Sequence, residues 1–294
     1  MNLTKNVSYS LLMLAVCLWA SSGTVSTLAM DEGASVVELT TFAFIFASAI
    51  LLPLVAILDP KSLRIGRKDL PAFIGFAFIA GVLMNLSFFG AINETTVAVA
   101  VILNFTYPTM VTVASVFVFK EKLTPQKLSA LPLTFVGCVL VAGSSSLEGG
   151  VSASWLGIGL GLLSAVGTAT YYVWGKKLEE EYSANTVVLY LFVLTTIMLV
   201  IGANPVSLAK TSIPMNAWLL IFMMAMLPGI VGFIASMMAL RRLEAGKASI
   251  VSSIEPMVAV GIAFVILSEG VTLIQMAGVV LIVLGIVLLR LERS

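Results

Sequence analysis

Long apolar runs separated by short polar segments make up most of this chain. An α-helix needs roughly 20 apolar residues to cross about 30 Å of hydrocarbon, because each residue advances it by about 1.5 Å. Ten apolar runs of about that length, with charges at or near their ends, lie at residues 9–29, 38–58, 70–91, 95–118, 126–144, 154–175, 184–204, 215–239, 247–267 and 271–290. The pattern predicts an all-α polytopic membrane protein with ten transmembrane helices. Only the ninth run carries a charge in its interior, at Glu255.

Composition favours the same class of protein. Hydrophobic residues make up 60% of the chain and charged residues 11%, with a mean hydropathy of +1.10. Soluble domains carry about 25% charged residues. The run that starts at Val7 is longer than the roughly 7–15 residues of a secretory signal core, so it is predicted to remain as a span. Cys17 and Cys138 both fall inside spans and are interpreted as packing residues.

Basic residues predict the orientation. If both termini are cytoplasmic, 15 of the 16 lysines and arginines fall on the cytoplasmic side of the membrane, and Lys210 alone lies outside. Cytoplasmic loops carry this excess of positive charge in membrane proteins. If one span were missing or added, the basic residues would no longer fall on one side of the membrane, so the count favours ten spans in the cytoplasmic membrane. On the cytoplasmic side, the acidic cluster 179–181 beside Lys176 and Lys177 is predicted to be a solvated helix end.

The chain repeats itself at an offset of 148 residues. The segment that starts at Ala98 aligns with the segment that starts at Gly246, so that Pro108 matches Pro256 and Tyr107 matches Glu255. The predicted units are residues 1–147 and 148–294. Each has five spans, an odd number, so the second copy would cross the membrane in the opposite orientation. Inverted repeats of this kind are typical of secondary transporters.

The two matched prolines predict helix breaks near the middle of the membrane. Proline lacks an N–H and clashes with the carbonyl four residues earlier, so Pro108 frees the carbonyl of Asn104 and Pro256 that of Ser252. Carbonyls freed in hydrocarbon need a partner or a watery cavity. A polar pocket at the bilayer centre would satisfy both breaks, and kinks satisfied by neighbouring helices are the alternative.

Glu255 is the main candidate for function in this pocket. A charged acid at a helix centre costs roughly 2.5–3.5 kcal/mol on insertion scales, so Glu255 must face protein or water. It could exchange a proton, pair with an amine of a solute, or stay protonated and hold the broken helix through Ser252 or Ser253. The other residues predicted to line the site are Trp19, Asn85, Phe89, Asn104, Tyr107, Tyr171 and Ser252.

Several classes of function are disfavoured. No histidine is present, and no metal or other cofactor is predicted. The net charge of +1 gives no basic field for nucleic acid. The sequence contains no GxxxxGK[ST] phosphate-binding loop, so ATP-driven transport by this chain alone is disfavoured. No lysine or arginine lies deep in a predicted span, so phosphorylated anions are disfavoured as cargo. The predicted partners are therefore the lipid bilayer and a small neutral, zwitterionic or cationic solute, with protons as a further candidate.

The matched segments resemble the EamA-domain branch of the drug/metabolite transporter superfamily. The resemblance covers nearly the whole chain twice. Its most specific residues are Tyr107-Pro108, Lys120 to Thr124, Ala248-Ser249, Glu255-Pro256, Ser268-Glu269-Gly270 and the stretch from Gly278 to Gly285, with Trp19 in the first span. The sixth span departs, with Thr168 where the family often has tryptophan, and the second lacks an arginine often found near its start. The resemblance implies a ten-helix carrier with a central cavity that exports amino acids or other small metabolites.

The sequence thus predicts a secondary transporter that works by alternating access, and no enzyme. Export of lipophilic drugs or cations is the alternative within transport. A channel or membrane sensor is the alternative outside it.

Overall fold

The computed structural model describes residues 5–147, 154–259 and 272–290, and across these ranges every regular element is helical. The first group of helices comprises α1 Lys5–Asp31, α2 Val36–Leu58, α3 Leu70–Glu94, α4 Val97–Asn104, α5 Tyr107–Phe119 and α6 Pro125–Leu147. The second comprises α7 Trp155–Glu179, α8 Ala184–Gly202, the short α9 Pro205–Ala209, α10 Met215–Leu240, α11 Ala245–Ser252, α12 from 255 to 259, and α13 Leu273–Arg290.

Seven helical stretches in the described ranges are long and apolar enough to cross a membrane. They are α1, α2, α3, Val99–Phe119 within α4 and α5, α7, α8 and α10. Shorter apolar helices, Pro125–Val141 and Leu273–Leu289, lie in α6 and α13. The all-helical, multi-span class is confirmed. The ninth predicted run, 247–267, extends beyond the described residues, as do Ser268-Glu269-Gly270, so the count of ten spans stays a prediction.

Helix starts and interruptions recur 148 residues apart. Ser35 and Ser183 are the N-caps of α2 and α8, and each side chain accepts a hydrogen bond from the backbone N–H three residues on, at 3.3 and 3.2 Å. These bonds satisfy N–H groups that have no partner inside the helix. Both α3 and α10 contain a π-helical stretch, Ala77–Leu83 and Ala225–Gly232.

The π-helical stretch of α3 lies directly against α8. The Thr195 hydroxyl donates to the carbonyl of Ala77 at 3.2 Å. A Cβ added to Gly81 would lie only 1.8 Å from the Thr195 oxygen. Gly81 belongs to one of the small-residue spacings common in membrane helices, in which a missing side chain lets backbones approach closely. Here the glycine admits the threonine side chain of the neighbouring helix.

The two cysteines differ in their surroundings. Cys138 is buried, and its thiol donates to the carbonyl of Ser253 at 3.5 Å. Cys17 lies on an exposed face of α1. The interpretation of Cys17 as a packing residue is therefore wrong, because apolar periodicity alone did not distinguish the exposed side of α1 from its buried side.

Candidate functional site

Two helices are interrupted at equivalent residues. α4 ends at Asn104, a two-residue turn follows, and α5 starts at Tyr107 with Pro108 in its first turn. Likewise α11 ends at Ser252, Ser253 and Ile254 form a turn, and α12 starts at residue 255. In each pair the next helix thus begins with the residue before the proline, and this placement positions Tyr107 and Glu255.

A cavity lies between these breaks. About 150 Å³ of it is open to the centre of a water molecule, and one water needs roughly 10–15 Å³ on that measure, so a small solute or several waters fit inside. Its walls include seven of the eight predicted site residues: Trp19, Asn85, Phe89, Asn104, Tyr107, Tyr171 and Glu255. The eighth, Ser252, is fully buried behind the cavity wall. The structure therefore brings the predicted residues together, while their role in binding stays a prediction.

Glu255 faces this cavity beside two aromatic hydroxyls. It lies close enough to Tyr107, Tyr172 and Cys138 to interact electrostatically with them. Among the residues that the structure describes, none donates a hydrogen bond to its carboxylate. An acid in an apolar environment needs a hydrogen-bond donor, a cation, a proton or water. The cavity is thus the place from which Glu255 can obtain one.

Ser252 acts on the site through Tyr172. The Ser252 hydroxyl donates to the carbonyl of Ala248 at 3.0 Å and lies 2.7 Å from the hydroxyl of Tyr172. The ring of Tyr172 stacks on the ring of Tyr107, with centroids 5.4 Å apart and an interplanar angle of 13°. The end of α11 is thereby joined through two rings to the start of α5.

Trp19 forms another part of the wall, held against α10. Its indole N–H donates to the carbonyl of Pro228 at 3.1 Å. Its ring meets Tyr171 and Phe233 edge-on, at centroid distances of 6.1 and 5.5 Å. A Cβ on Gly232 would lie 2.9 Å from the indole nitrogen, so this glycine makes room for the tryptophan.

The two asparagines are held by their amide nitrogens. Asn104 donates to the hydroxyls of Ser164 and Thr168 on α7 at 2.8 and 3.0 Å. Asn85 donates to the carbonyl of Gly81 at 2.8 Å. Phe89 is 6% exposed and its ring meets that of Phe88 at 5.6 Å. All three predicted residues are therefore fixed by their own helices or by α7.

Other lining residues were not predicted from the sequence. They include Ser22, Thr40, Phe44, Thr168, Tyr172, Phe192 and Pro228. Pro228 could have been predicted from the sequence, because it is a proline inside an apolar run, as are Pro108 and Pro256. Thr168 drew notice only as a departure from a family pattern. Phe44 and Phe192 lie 148 residues apart, so the repeat offset could have paired them.

Fully buried side chains pack behind Tyr171. The rings of Phe76 and Tyr171 stack with centroids 6.4 Å apart, and Phe76 and Met237 are fully buried. A Cβ on Gly175 would lie 2.5 Å from the methyl carbon of Met237. Phe76 thus packs against both Tyr171 and the Gly175 position of α7.

The last turn of α7 contains a buried acid, contrary to the prediction of a solvated cluster. Glu180, Glu181 and Lys177 are exposed, but Glu179 is only 3% exposed. Neither oxygen of the Glu179 carboxylate has a hydrogen-bond partner among the described residues. The prediction is wrong for Glu179 because α7 turns this residue inward while its charged neighbours face outward.

A buried ion-pair cluster sits where α11 begins. The ammonium of Lys127, 1% exposed, lies 3.3 Å from the carboxylate of Glu121 and 2.8 Å from that of Glu244. Glu121 also accepts hydrogen bonds from the backbone N–H groups of Ala245 and Gly246, at 2.9 and 3.4 Å. A carboxylate is stabilised at a helix N-terminus by its free N–H groups. The cluster thus fixes the end of α11 that lies opposite Ser252.

Comparison with known proteins identifies relatives over the whole chain. The model of the EamA-like transporter family matches residues 6–143 and again 155–291. A protein of Clostridium kluyveri named an uncharacterized transporter is 26% identical, over 84% of this chain and 81% of its own. The uncharacterized inner membrane transporter YicL of Salmonella typhimurium is 23% identical, over 95% of this chain and 94% of its own.

Two further comparisons concern function and fold. A protein of Salmonella typhimurium named a probable amino-acid metabolite efflux pump is 30% identical, over 58% of this chain and 59% of its own. A protein of known crystal structure superimposes with a TM-score of 0.81 and 17% identity, covering 99% of this chain and 100% of that one. That similarity shows a shared fold.

Proposed function

The chain belongs to the EamA-like transporter family, and on that premise we propose that it is a secondary transporter working by alternating access. It exports small neutral, zwitterionic or cationic metabolites across the cytoplasmic membrane, with amino acids and related compounds as the first candidates. Its fold comprises ten transmembrane helices in two inverted five-helix repeats, residues 1–147 and 148–294, with both termini cytoplasmic. Glu255 and Tyr107 lie at the solute site, and Pro108 and Pro256 are the hinges beside them.

The recurrence of structure at one offset supports two repeats. The capped starts of α2 and α8, the π-helical stretches of α3 and α10, and the two helix breaks all recur 148 residues apart. The family model also matches the chain twice. A unit with five spans places its second copy in the opposite orientation, which gives the two halves equivalent routes to a shared centre.

The observation that carries the proposal is the convergence of both helix breaks on one cavity. Irregular backbone at membrane depth is tolerated where it lines a water-filled space or is buried in protein. Tyr107 and Glu255 occupy the same position after each break, and both face the cavity. An acidic side chain within a membrane span marks a pathway for a solute or a proton by default.

The cavity wall limits the charge of the cargo. None of its described residues is lysine or arginine, and Glu255 is its acid. Phosphorylated anions would lack a counter-charge there. The relative named as an amino-acid metabolite efflux pump supports amino compounds as the first solutes to test.

Transport can be tested with purified protein in liposomes. Radiolabelled amino acids and amines are loaded inside, and efflux is followed with and without a pH gradient for wild type, Glu255→Gln and Glu181→Gln. We expect saturable, counterflow-stimulated efflux that Glu255→Gln lowers by about tenfold or more, equivalent to at least roughly 1.4 kcal/mol in the transport barrier. Glu181→Gln changes an exposed acid and should leave efflux unchanged.

Each outcome has a distinct meaning. A pH-gradient response that disappears with Glu255→Gln supports proton exchange at this residue. Efflux that is unchanged in Glu255→Gln contradicts its place at the solute site while transport itself stands. Flux that neither saturates nor shows counterflow would contradict the carrier mechanism and favour a channel.

A further inference from the structure

Three hydroxyl groups in the cavity wall already donate their protons to backbone carbonyls. Ser22 donates to the carbonyl of Trp19 at 2.7 Å, and Thr40 donates to that of Val36 at 2.7 Å. Thr168 donates to the carbonyl of Ser164 at 3.0 Å. A hydroxyl has one proton to give and two lone pairs that accept. Towards a ligand, these three groups can therefore only accept hydrogen bonds.

Assigning the hydrogen-bond donors in the same way fixes the orientation of the Asn104 amide. Its two neighbours are the hydroxyls of Ser164 and Thr168, and Ser164 donates to the carbonyl of Gly161 at 2.7 Å. Both hydroxyls have therefore given away their protons and can only accept from Asn104. The amide nitrogen must face them, since it carries the donors. The oxygen of Asn104 remains as an acceptor.

The aromatic donors of the wall are also engaged. The indole of Trp19 donates to the carbonyl of Pro228, and the hydroxyl of Tyr171 donates to that of Phe233 at 3.4 Å. Since the Ser252 proton goes to the carbonyl of Ala248, the hydroxyl of Tyr172 is the donor in its bond to Ser252. These side chains offer a ligand their rings and lone pairs.

What remains for a ligand is dominated by acceptors. They are the carboxylate of Glu255 and the amide oxygens of Asn104 and Asn85, since Asn85 faces the Gly81 carbonyl with its nitrogen. The remaining side-chain donor of the described wall is one N–H of Asn85, because the hydroxyl of Tyr107 is hydrogen-bonded to that of Tyr172, whose own proton goes to Ser252.

The rest of the wall suits a cation on an apolar body. Nine aromatic rings are among its described residues: Trp19, Phe44, Phe88, Phe89, Tyr107, Tyr171, Tyr172, Phe192 and Phe233. Aromatic faces attract ammonium groups, by about 0.5–1 kcal/mol at exposed sites and about 2 kcal/mol when desolvated. They also provide apolar area for a ring or chain.

From this balance of donors and acceptors we propose that the cavity selects organic amines without a carboxylate in preference to amino acids. The ammonium group lies among Glu255, Asn104 and Asn85, and an aromatic or aliphatic body packs on the rings. A carboxylate on the same solute would need a cation or several N–H donors, which the side chains of the described wall do not provide. The inference rests on the proposed function, because it names the substrate class of the same site.

Matched ligands test this selection directly. Tyramine, tyrosine and 3-(4-hydroxyphenyl)propionate share one ring and differ in their amine and carboxylate, and tryptamine, tryptophan and indole-3-propionate form a second series. Binding to the full-length protein in nanodiscs is measured by calorimetry, and counterflow is measured in liposomes. In at least one series the amine should bind at least tenfold more tightly than its amino acid, and the carboxylate without an amine should not bind.

A variant at Thr168, which positions the Asn104 amide, tests whether the lack of free hydrogen-bond donors determines the selection. Thr168→Val removes one acceptor that holds the Asn104 amide and frees an N–H towards the cavity. The ratio of amine to amino-acid affinity should then fall at least threefold. Thr170→Val, on the same helix, removes a hydroxyl that donates only to the carbonyl of Val166 and does not line the cavity. It should leave the ratio unchanged, whereas a general loss of stability would lower both affinities together.

The two measurements separate the inference from the function it rests on. Amine binding without counterflow supports the selection of amines and contradicts the proposed transport. Counterflow of the amino acids at rates equal to or above those of the amines overturns the selection while transport stands. Failure of both amines to bind also overturns the selection.

Discussion

At Gly81 the fold depends on the absence of a single side chain. A Cβ there would overlap the hydroxyl of Thr195, which is fully buried and bonded to the carbonyl of Ala77. Neither partner can move freely, because the hydroxyl is held by the backbone of the neighbouring helix. By contrast, a Cβ added to Gly159 would meet no atom within 4 Å.

Gly81→Ala should therefore destabilise the protein by roughly 1–3 kcal/mol, the usual cost of overpacking. The measurement is the melting temperature in detergent. Thr195→Ala removes the overlapping hydroxyl and should recover part of the loss when combined with Gly81→Ala. Gly159→Ala is the matched control and should not lower the melting temperature. A Gly81→Ala variant as stable as wild type would contradict the close packing of α3 on α8.

Glu244 ties stability to pH. Partial burial would raise the pKa of its carboxyl, but the hydrogen bond and charge of Lys127 and the charge of Lys247 outweigh burial and lower the pKa below 4.5. Glu121 faces the same ammonium of Lys127. A lowered pKa means that the carboxylate contributes stability above about pH 4.5, and that this contribution is lost as the pH falls through the folded-state pKa.

Glu244→Gln should therefore melt below wild type at pH 7, and the two should converge as the pH falls below about 4.5. The measurement is the melting temperature of both proteins in detergent between pH 7 and pH 3.5. Glu244 is 43% exposed in its side chain, so solvent weakens the pair and the difference should be small. If the difference in melting temperature between the two proteins stays constant over this pH range, the charge of Glu244 is not the source of that difference.

At the scale of elements, the broken helices bring the site together. Tyr107 and Glu255 would lie on continuous helices if the chain did not turn after Asn104 and Ser252. Each break instead places the first residue of a new helix in the cavity wall.

Restoring an N–H at either proline should oppose this arrangement. Pro108→Ala or Pro256→Ala allows a hydrogen bond to the carbonyl of Asn104 or Ser252 and favours a continuous helix. We expect counterflow to fall by about tenfold, or roughly 1.4 kcal/mol in the transport barrier, with an unchanged or higher melting temperature. Pro132→Ala, at an exposed proline within α6, is the control and should leave counterflow intact. Equal counterflow in all three variants would rule out the breaks as functional hinges.

The sequence predicted those parts of the site that depend on strong local signals. Prolines restrict the backbone wherever they stand, so both breaks could be placed to the residue. The partners of Asn104 could not be predicted, because Ser164 and Thr168 approach it only through the packing of α7 on α4. The π-helical stretches could not be predicted from the sequence, in which only a repeated spacing of alanine and glycine marks them. The burial of Glu179 depends on the rotation of α7, which charge clustering does not reveal.

Across the whole molecule, several contacts join residues at equivalent places in the sequence. The rings of Phe44 and Phe192 lie 4.9 Å apart, and the hydroxyls of Ser48 and Thr196 lie 2.8 Å apart. Both pairs are separated by 148 residues. Equivalent residues can touch each other only near an axis that exchanges the two copies. This arrangement supports a pseudo-twofold axis that passes between α2 and α8.

The packing of α6 on α13 supports the same axis through reciprocal contacts. A Cβ on Gly278 would lie 2.7 Å from the carbonyl oxygen of Gly137, and one on Gly285 would lie 3.2 Å from that of Ala130. Gly278 and Gly285 follow Ala130 and Gly137 by 148 residues. Each half therefore presents the same two positions to the other, as in a self-complementary interface.

An axis within the membrane plane would place equivalent loops on opposite sides. Lys61 and Ala209 are such a pair, 148 residues apart and both exposed, in the turn Pro60–Leu63 and at the end of α9. With Cys17 and Cys138 replaced by alanine, single cysteines at these positions can be labelled in intact cells with a membrane-impermeant maleimide. Ala209→Cys should react at once, and Lys61→Cys only after permeabilisation, because positive charge keeps its loop cytoplasmic. Labelling of both from the same side would contradict inversion and favour two parallel copies, and the cysteine-free protein shows the background.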